Sequence, residues 1–303
     1  MEFEMKYDSY TMPKSSAQTA GMKTIQAQMD NIGAKIIKED HVYQRKNGLN
    51  LRIRMVYPNT LAPKKPFPLV VHIQGSGWFE QDLNGTIMEF KDLVTAGYAM
   101  AIVEYAPLPD AIFPSQVEDA KMAVRYLADH AKELEIDMDR ILLCGDSSGG
   151  HTALMAWSTW NKPLLDASKD PLPEIKGCIN LYGVYDLLTI PDKESAVDHR
   201  KPTSPDSLLI GGFLPEDYPE KAEKASVPYY LKQADALVPL LIIHGNKDTL
   251  VPFEQSVELF ELCKEKQIQA EFYCVDGADH GGPTFFTDEV IQIMLDFIEQ
   301  CLN

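Results

Sequence analysis

Basic charge and long apolar runs are both scarce in this chain of 303 residues. Its 28 lysine and arginine residues stand against 45 aspartate and glutamate residues, which gives a net charge of −17. Because such an excess of negative charge repels nucleic acid and anionic membranes, we expect neither as a partner. No stretch reaches the roughly 20 apolar residues of a membrane-spanning helix. The first residues also lack the basic start and apolar run of a secretory signal, so we expect a cytoplasmic location.

Cysteine is also scarce, and its number is odd. Five cysteines occur, mostly in apolar stretches: Cys144, Cys178, Cys263, Cys274 and Cys301. This pattern favours reduced core residues over a disulfide framework. Three histidines, His72, His151 and His244, lie on predicted strands or a helix without a second ligand at metal spacing. The sequence therefore predicts no metal and no other cofactor.

Apolar strand-like segments alternate with helix-like ones along most of the chain. This alternation predicts an α/β fold with a mostly parallel central sheet and helices on both faces, and the length suits one domain over residues 1–303. Strands at residues 35–42 and 49–57 are expected to form an antiparallel hairpin around Asn47-Gly48. Ser115 and Glu118 have the spacing of a capping box at a helix start.

Two regions stand outside this alternation. Residues 1–34 are polar and are interpreted as an N-terminal extension, with a weakly amphipathic patch that would suit a helix, namely Met22, Ile25, Met29 and Ile32. Residues 187–235 carry six prolines and many charges. We interpret this second region as a small cap-like insertion that shapes the substrate site, rather than as the apolar lid of a lipase.

The most informative motif is Gly145-Asp146-Ser147-Ser148-Gly149. It follows the apolar residues 141–144 and precedes a helix-like segment at 151–156. A G-x-S-x-G sequence between a strand and a helix is typical of a nucleophile elbow, in which glycines permit a strained turn. Ser147 is therefore the candidate nucleophile, because the residue two positions before Ser148 is Asp146 rather than glycine.

A serine nucleophile needs a base and an acid to orient that base. Residues 239–245 form a predicted buried strand, and the loop after it contains Asp248. Residues 270–275 form another, and the loop after it contains His280. Asp276 remains an alternative acid, whereas Asp279 is adjacent to His280 and poorly placed to face it. The chain order Ser147, Asp248, His280 is that of α/β-hydrolases.

A further loop, Gln74-Gly75-Ser76-Gly77-Trp78, follows the predicted strand at 68–73. Its small residues let backbone N–H groups approach a ligand closely. Together with the Ser148 amide, such donors would stabilise the negative charge that develops on a carbonyl oxygen.

These motifs together resemble the α/β-hydrolase esterases that have an H-G-G-G-W oxyanion loop, and most of all the acetyl esterase, acetylxylan esterase and feruloyl esterase (BD-FAE-like) group. The resemblance covers about residues 35–302 and is carried by segments 70–78, 104–127, 145–151, 182–186, 244–255 and 277–282. It implies that the Ser76 and Gly77 amides face the oxyanion. The chain departs from the family pattern at Gln74 and Ser76, where histidine and glycine are usual, and at Ala106, where arginine is frequent.

The resemblance implies a carboxylic ester hydrolase that forms an acyl-enzyme at Ser147. The expected substrates are acetyl or feruloyl esters of short plant-derived oligosaccharides, because intact xylan cannot reach a cytoplasmic enzyme. Trp78, Tyr182 and Tyr185 are candidate substrate-binding residues, or they fill space around the site. The alternatives are an aryl formamidase, a prolyl-oligopeptidase-type peptidase, which the absence of a propeller domain disfavours, and a non-catalytic ligand-binding homologue. The sequence also leaves room for a homo-oligomer.

Overall fold

A single sheet of nine strands lies at the centre of the part of the chain that the computed structural model describes, which comprises residues 6–7, 11–27, 33–36, 39–60, 66–160, 162–234 and 236–303. The strands are β1 (Ala34–Ile36), β2 (His41–Lys46), β3 (Leu49–Pro58), β4 (Phe67–Ile73), β5 (Ala99–Val103), β6 (Ile136–Asp146), β7 (Gly177–Leu181), β8 (Leu240–Gly245) and β9 (Ala270–Val275). Their spatial order is β1-β3-β5-β4-β6-β7-β8-β9, with β2 also paired to β3. All neighbours from β5 through β9 are parallel.

Eight α-helices accompany the sheet within the described residues. They are α1 (Lys91–Thr95), α2 (Ser115–Asp129), α3 (Ser147–Ser158), α4 (Pro205–Leu209), α5 (Pro219–Lys224), α6 (Val227–Leu231), α7 (Glu254–Glu265) and α8 (Asp288–Leu302), and two 3-10 helices cover Ile190–Asp192 and Pro283–Phe285. The predicted fold class, an α/β-hydrolase fold with a mostly parallel sheet, is confirmed.

Alternating side chains of the central strands supply a core on each face of the sheet. In β4, Leu69 and Val71 belong to an apolar cluster that includes Val124 of α2 and Leu154 of α3. The intervening Val70 points to the opposite face, where its cluster includes residues of α1 and α8. This period of two, with apolar residues on both sides, is the pattern of a strand covered by helices on both faces.

The predicted hairpin around Asn47-Gly48 is confirmed for β2 and β3. Both turn residues have positive φ, 51° and 81°, as a tight two-residue hairpin turn requires. The single strand expected at 35–42 is instead two strands, because β1 pairs with residues 56–58 and β2 with residues 49–53. β1 and β2 therefore share one edge of β3.

The predicted capping box at Ser115 is wrong. Pro114 is the N-cap of α2, and no side chain caps this helix start. The Ser115 hydroxyl instead faces Asp119, at an Oγ to Oδ2 distance of 3.5 Å within the first turn. Asp119 is fully buried and also accepts a hydrogen bond from the Ala106 amide. The first turn of α2 is therefore held by tertiary contacts.

The connections of β4 and β6 leave in opposite directions across the sheet. From β4 the chain crosses to β5 on one side, whereas from β6 it continues to β7 on the other. The carboxyl ends of β4 and β6 lie side by side, with Ile73 paired to Gly145. Such a reversal opens a crevice at the carboxyl edge of a parallel sheet, which is where α/β proteins bind ligands.

The two irregular regions differ in how they are placed. The insertion 187–235 lies between β7 and β8 and contributes a 3-10 helix and α4 to α6. In the N-terminal extension, the described residues 11–27 contain neither helix nor strand, and Met22 and Ile25 are exposed. The helix considered there is therefore absent from these residues, and its other two members, Met29 and Ile32, lie outside the described part.

Candidate active site

A strained turn between β6 and α3 carries Ser147. The serine has a backbone φ of 51°, a value that residues other than glycine rarely adopt. A Cβ at Gly149 would lie 2.0 Å from the Ile73 carbonyl oxygen, and one at Gly145 would lie 2.3 Å from the Gly149 carbonyl oxygen. Both glycines of the motif are thus required by close backbone approach. The result is a serine at the carboxyl edge of the sheet, beside the end of β4.

The structure brings Ser147, His280 and Asp248 together in one hydrogen-bonded chain. His280 Nε2 lies 2.8 Å from Ser147 Oγ, and His280 Nδ1 lies 2.7 Å from Asp248 Oδ2. Because a carboxylate only accepts hydrogen bonds, Nδ1 carries the proton and Nε2 is free to accept the serine proton. This is the arrangement in which a histidine acts as a general base toward a serine.

The two alternative acids are directed elsewhere. Asp276 accepts a hydrogen bond from the Asn246 side chain, at 2.7 Å, on the exposed surface. Asp279 accepts from the Thr249 amide and from the backbone amide of His280. Asp248 is therefore the carboxylate that faces the His280 ring.

Asp248 accepts hydrogen bonds from several donors besides His280. Its Oδ2 also accepts from His244 Nε2 at 3.0 Å, while its Oδ1 accepts from the amides of Leu250 and Val251. Burial would raise the pKa of Asp248, but the hydrogen bonds from His244 and His280 outweigh burial and lower this pKa to about 2. Asp248 is thus a fixed negative charge at any working pH. His244, interpreted from the sequence as a structural residue, contacts the acid directly.

Two of the three predicted oxyanion donors have no other hydrogen-bond partner among the described residues. The Ser76 amide donates to Ser148 Oγ at 2.9 Å, whereas the amides of Gly77 and Ser148 are not engaged. Gly77 and Trp78 have φ values of 63° and 61°, so the loop takes its left-handed conformation there and not at Ser76. A serine in place of glycine at position 76 is therefore compatible with the loop. Its hydroxyl bonds to the Phe79 carbonyl.

A pocket of about 120 Å³ opens beside Ser147 and His280. Apart from these two, its walls are Gly77, Trp78, Ser148, Val184, Ile190, Val197, His199, Pro205, Asp206, Leu250 and Val251. Of the three candidate substrate-binding residues, Trp78 lines the pocket. Tyr182 instead packs edge-on against His280, with ring centroids 4.9 Å apart, and Tyr185 is buried with its amide bonded to Gln255. Neither tyrosine lines this pocket.

His199 and Asp206 are pocket residues that the sequence reasoning missed. They lie in the insertion, 2.8 Å apart from His199 Nδ1 to Asp206 Oδ1, and both are buried. One sequence signal was available: Ser204-Pro205 is a typical N-cap and first residue of a helix, which would have placed Asp206 in a first turn. Nothing in the spacing itself indicates that this turn faces Ser147.

The described part of the chain offers neither a metal-binding cluster nor a membrane span. No group of three or more His, Cys, Asp or Glu side chains there could hold a metal ion. No helix within those same residues is long and apolar enough to cross a membrane.

The buried His151 bonds through Nε2 to the Ala225 carbonyl, and burial lowers the pKa of this histidine to about 4.

The sheet order, the elbow and the Ser147, His280 and Asp248 geometry define an α/β-hydrolase. Within that class the chain belongs to the BD-FAE family, whose model matches residues 56–262.

Several proteins with curated names are similar to this chain. Esterase LipC of Mycobacterium tuberculosis is 25% identical over 229 residues, which are 72% of this chain and 54% of that protein. A probable isoprenylcysteine alpha-carbonyl methylesterase, ICMEL1, of Oryza sativa subsp. japonica is 24% identical over 223 residues, 70% of this chain and 50% of that protein. The chain thus spans about half the length of the curated relatives it matches.

Solved structures share the fold. A truncated carbohydrate esterase from gut microbiota superposes with a TM-score of 0.75 at 24% identity, covering 91% of this chain and 98% of the other. Esterase B from Lactobacillus rhamnosis gives a TM-score of 0.76 at 19% identity, covering 91% and 88%.

Proposed function

We propose that this protein is a serine carboxylic ester hydrolase that removes acetyl groups from short acylated saccharides through an acyl-enzyme. The observation that carries this proposal is the unbroken hydrogen-bonded chain from Ser147 through His280 to Asp248, at the mouth of a small pocket. The curated relatives named above are esterases, which supports the same class of reaction.

The mechanism follows from the positions of the protons. Ser147 Oγ attacks the ester carbonyl while His280 Nε2 takes its proton, and the ionised Asp248 stabilises the imidazolium that forms. His280 then returns the proton to the departing alkoxide. A water activated by the same nitrogen hydrolyses the acyl-enzyme and restores Ser147.

The oxyanion would be held by backbone amides. We assign this role to Gly77 and Ser148, because no group in the described residues occupies their N–H groups. The Ser76 amide, the third predicted donor, would join them only if its bond to Ser148 Oγ were broken. Losing one such donor typically costs about 3 to 4 kcal/mol of transition-state stabilisation.

A small acyl group suits the pocket beside Ser147, whose volume is about 120 Å³ and whose walls are mostly apolar. We therefore propose acetyl ahead of feruloyl as the acyl group. One solved protein with this fold is a carbohydrate esterase, which is in keeping with a saccharide as the alcohol part. The cytoplasmic location and a homo-oligomeric state stay predictions.

Two assays test the proposal. We expect kcat/KM for 4-nitrophenyl acetate to exceed that for the octanoate, and acetate to be released from acetylated xylo-oligosaccharides. Ser147→Ala is the control for both. A preference for octanoate, or activation by micelles, would favour a lipase, and absence of acetate release would reject the saccharide substrate. Failure to react with a fluorophosphonate probe would indicate a non-catalytic binding protein.

A further inference from the structure

A second acidic residue, Asp206, faces the pocket that contains the nucleophile. Asp206 belongs to the first turn of α4 in the insertion and is only 2% exposed. Its Oδ1 is paired with His199 Nδ1 at 2.8 Å. Both residues line the pocket with Ser147 and His280, and neither takes part in the mechanism above.

The other carboxylate oxygen of Asp206 is buried without a partner. Among the described residues no hydrogen-bond donor reaches Oδ2, although the atom has almost no exposed surface. A buried acceptor that lacks a donor is costly, and more so when it belongs to a carboxylate. Most of the pocket wall around it is apolar and can supply no donor, as with Val184, Ile190 and Val197. Because Asp206 lines the pocket, a molecule that widens it beside Oδ2 can supply this donor.

We propose that Asp206 is a specificity-determining residue whose Oδ2 accepts a hydrogen bond from a hydroxyl group of the substrate, within a few bonds of the scissile ester. This inference rests on the proposed esterase function. We choose a hydroxyl rather than a cationic group as the donor because the pocket is small and the Asp206 carboxylate that lines it is already paired with His199. The methyl analogue of such a substrate would leave Oδ2 without a partner and would be discriminated against.

The hydroxyl could belong to the acyl part or to the alcohol part of the ester, and matched substrates separate these sources. In the first pair, ethyl glycolate is compared with ethyl propionate, in which a methyl group replaces the acyl hydroxyl. 2-Hydroxyethyl acetate against propyl acetate makes the same replacement on the alcohol. Glycine ethyl ester replaces the acyl hydroxyl by an ammonium group. Acid release from each is followed in a pH-stat with the full chain.

We expect wild-type kcat/KM to favour the hydroxyl ester over its methyl partner by at least about tenfold in one of the two pairs. Asp206→Asn should reduce that ratio to near one, while Asp198→Asn, the same change at an exposed site of the same segment, should leave it unchanged. Because each ratio is measured within one preparation, it does not depend on the folded fraction. The wild-type ratios test the proposal even if Asp206→Asn does not fold.

Three outcomes would overturn the inference: wild-type ratios near one in both pairs, a ratio that Asp206→Asn leaves unchanged, or a preference for glycine ethyl ester over ethyl glycolate. Each can occur in an enzyme that still deacetylates xylo-oligosaccharides, in which case the assigned role of Asp206 fails and the proposed function stands. Loss of the saccharide activity alone, with a hydroxyl preference that depends on Asp206, would reject the saccharide and support the inference.

Discussion

Replacing Asp248 by asparagine tests the electrostatics of the candidate site most directly. The amide would present a donor or a weaker acceptor to His280 Nδ1, and it would favour the tautomer whose Nε2 carries the proton. That nitrogen could no longer accept the Ser147 proton, so we expect kcat for 4-nitrophenyl acetate to fall by about 10³ to 10⁴-fold near neutral pH.

The same substitution has a calculable effect on stability. The pKa of Asp248 is lowered to about 2 from an ordinary value of 3.8, which corresponds to about 2 to 3 kcal/mol of stabilisation by the charged form. A carboxylate with a lowered pKa contributes this stability above the unfolded pKa and loses it as the pH falls from about 4 toward 2. We therefore expect Asp248→Asn to be less stable than wild type at pH 7, and the difference to shrink as the pH falls through this window.

Urea unfolding at several pH values and steady-state kinetics measure the two effects. Asp276→Asn is the matched control, because it removes a carboxylate of the same strand-end region whose partner is the exposed Asn246. It should change kcat and stability little. The reasoning is refuted if Asp248→Asn keeps kcat within tenfold of wild type, or if Asp276→Asn is the more damaging change.

Three further predictions concern other parts of the structure. Ser147→Ala should fold normally, lose fluorophosphonate labelling and lower ester hydrolysis by at least about 10³-fold; near-normal turnover by a folded variant would displace Ser147. Gly149→Ala should reduce the yield of folded protein or its urea midpoint sharply, since the new Cβ would lie 2.0 Å from the Ile73 carbonyl oxygen, and an unchanged midpoint would contradict the packing. Burial lowers the pKa of Lys121 to about 8 from 10.5, so the unfolded chain binds more protons above pH 8. Wild-type stability relative to Lys121→Met should therefore rise by about 3 kcal/mol between pH 7 and 10.5, and a flat difference would exclude the shift.

The parts of the site that follow a strong strand signal were predictable from the sequence. Ser147, Asp248 and His280 each lie in the turn or loop that follows a short apolar run, and parallel strands bring such positions to one edge of the sheet. Periodicity places these loops together without any knowledge of the contacts. The sequence favours Asp248 as the acid and leaves Asp276 open, because both lie on loops at that same edge. Only the orientation of the side chains separates them, with Asp248 on the His280 ring and Asp276 on Asn246.

Contacts with the insertion were beyond the sequence reasoning. His199 and Asp206 lie among prolines and charges without periodicity. Tertiary packing places them in the same pocket as Ser147. The capping box failed for a related reason, since the local pattern at Ser115 gives way to a buried carboxylate, Asp119, fixed from outside the helix. Tyr182 and Tyr185 share a motif, yet neither lines the pocket: Tyr182 packs against His280, and the Tyr185 backbone amide donates to the Gln255 side chain.

The nucleophile and its base are 133 residues apart in the chain, so activity needs more than one part of the sheet to be complete. The elbow needs β4, β6 and α3, whereas the base lies in the loop after β9, which pairs with β8. A partly refolded chain that has not yet paired β9 therefore holds an unactivated serine. Ester hydrolysis during refolding reports that this pairing is complete, and recovery of helical structure alone should not restore it.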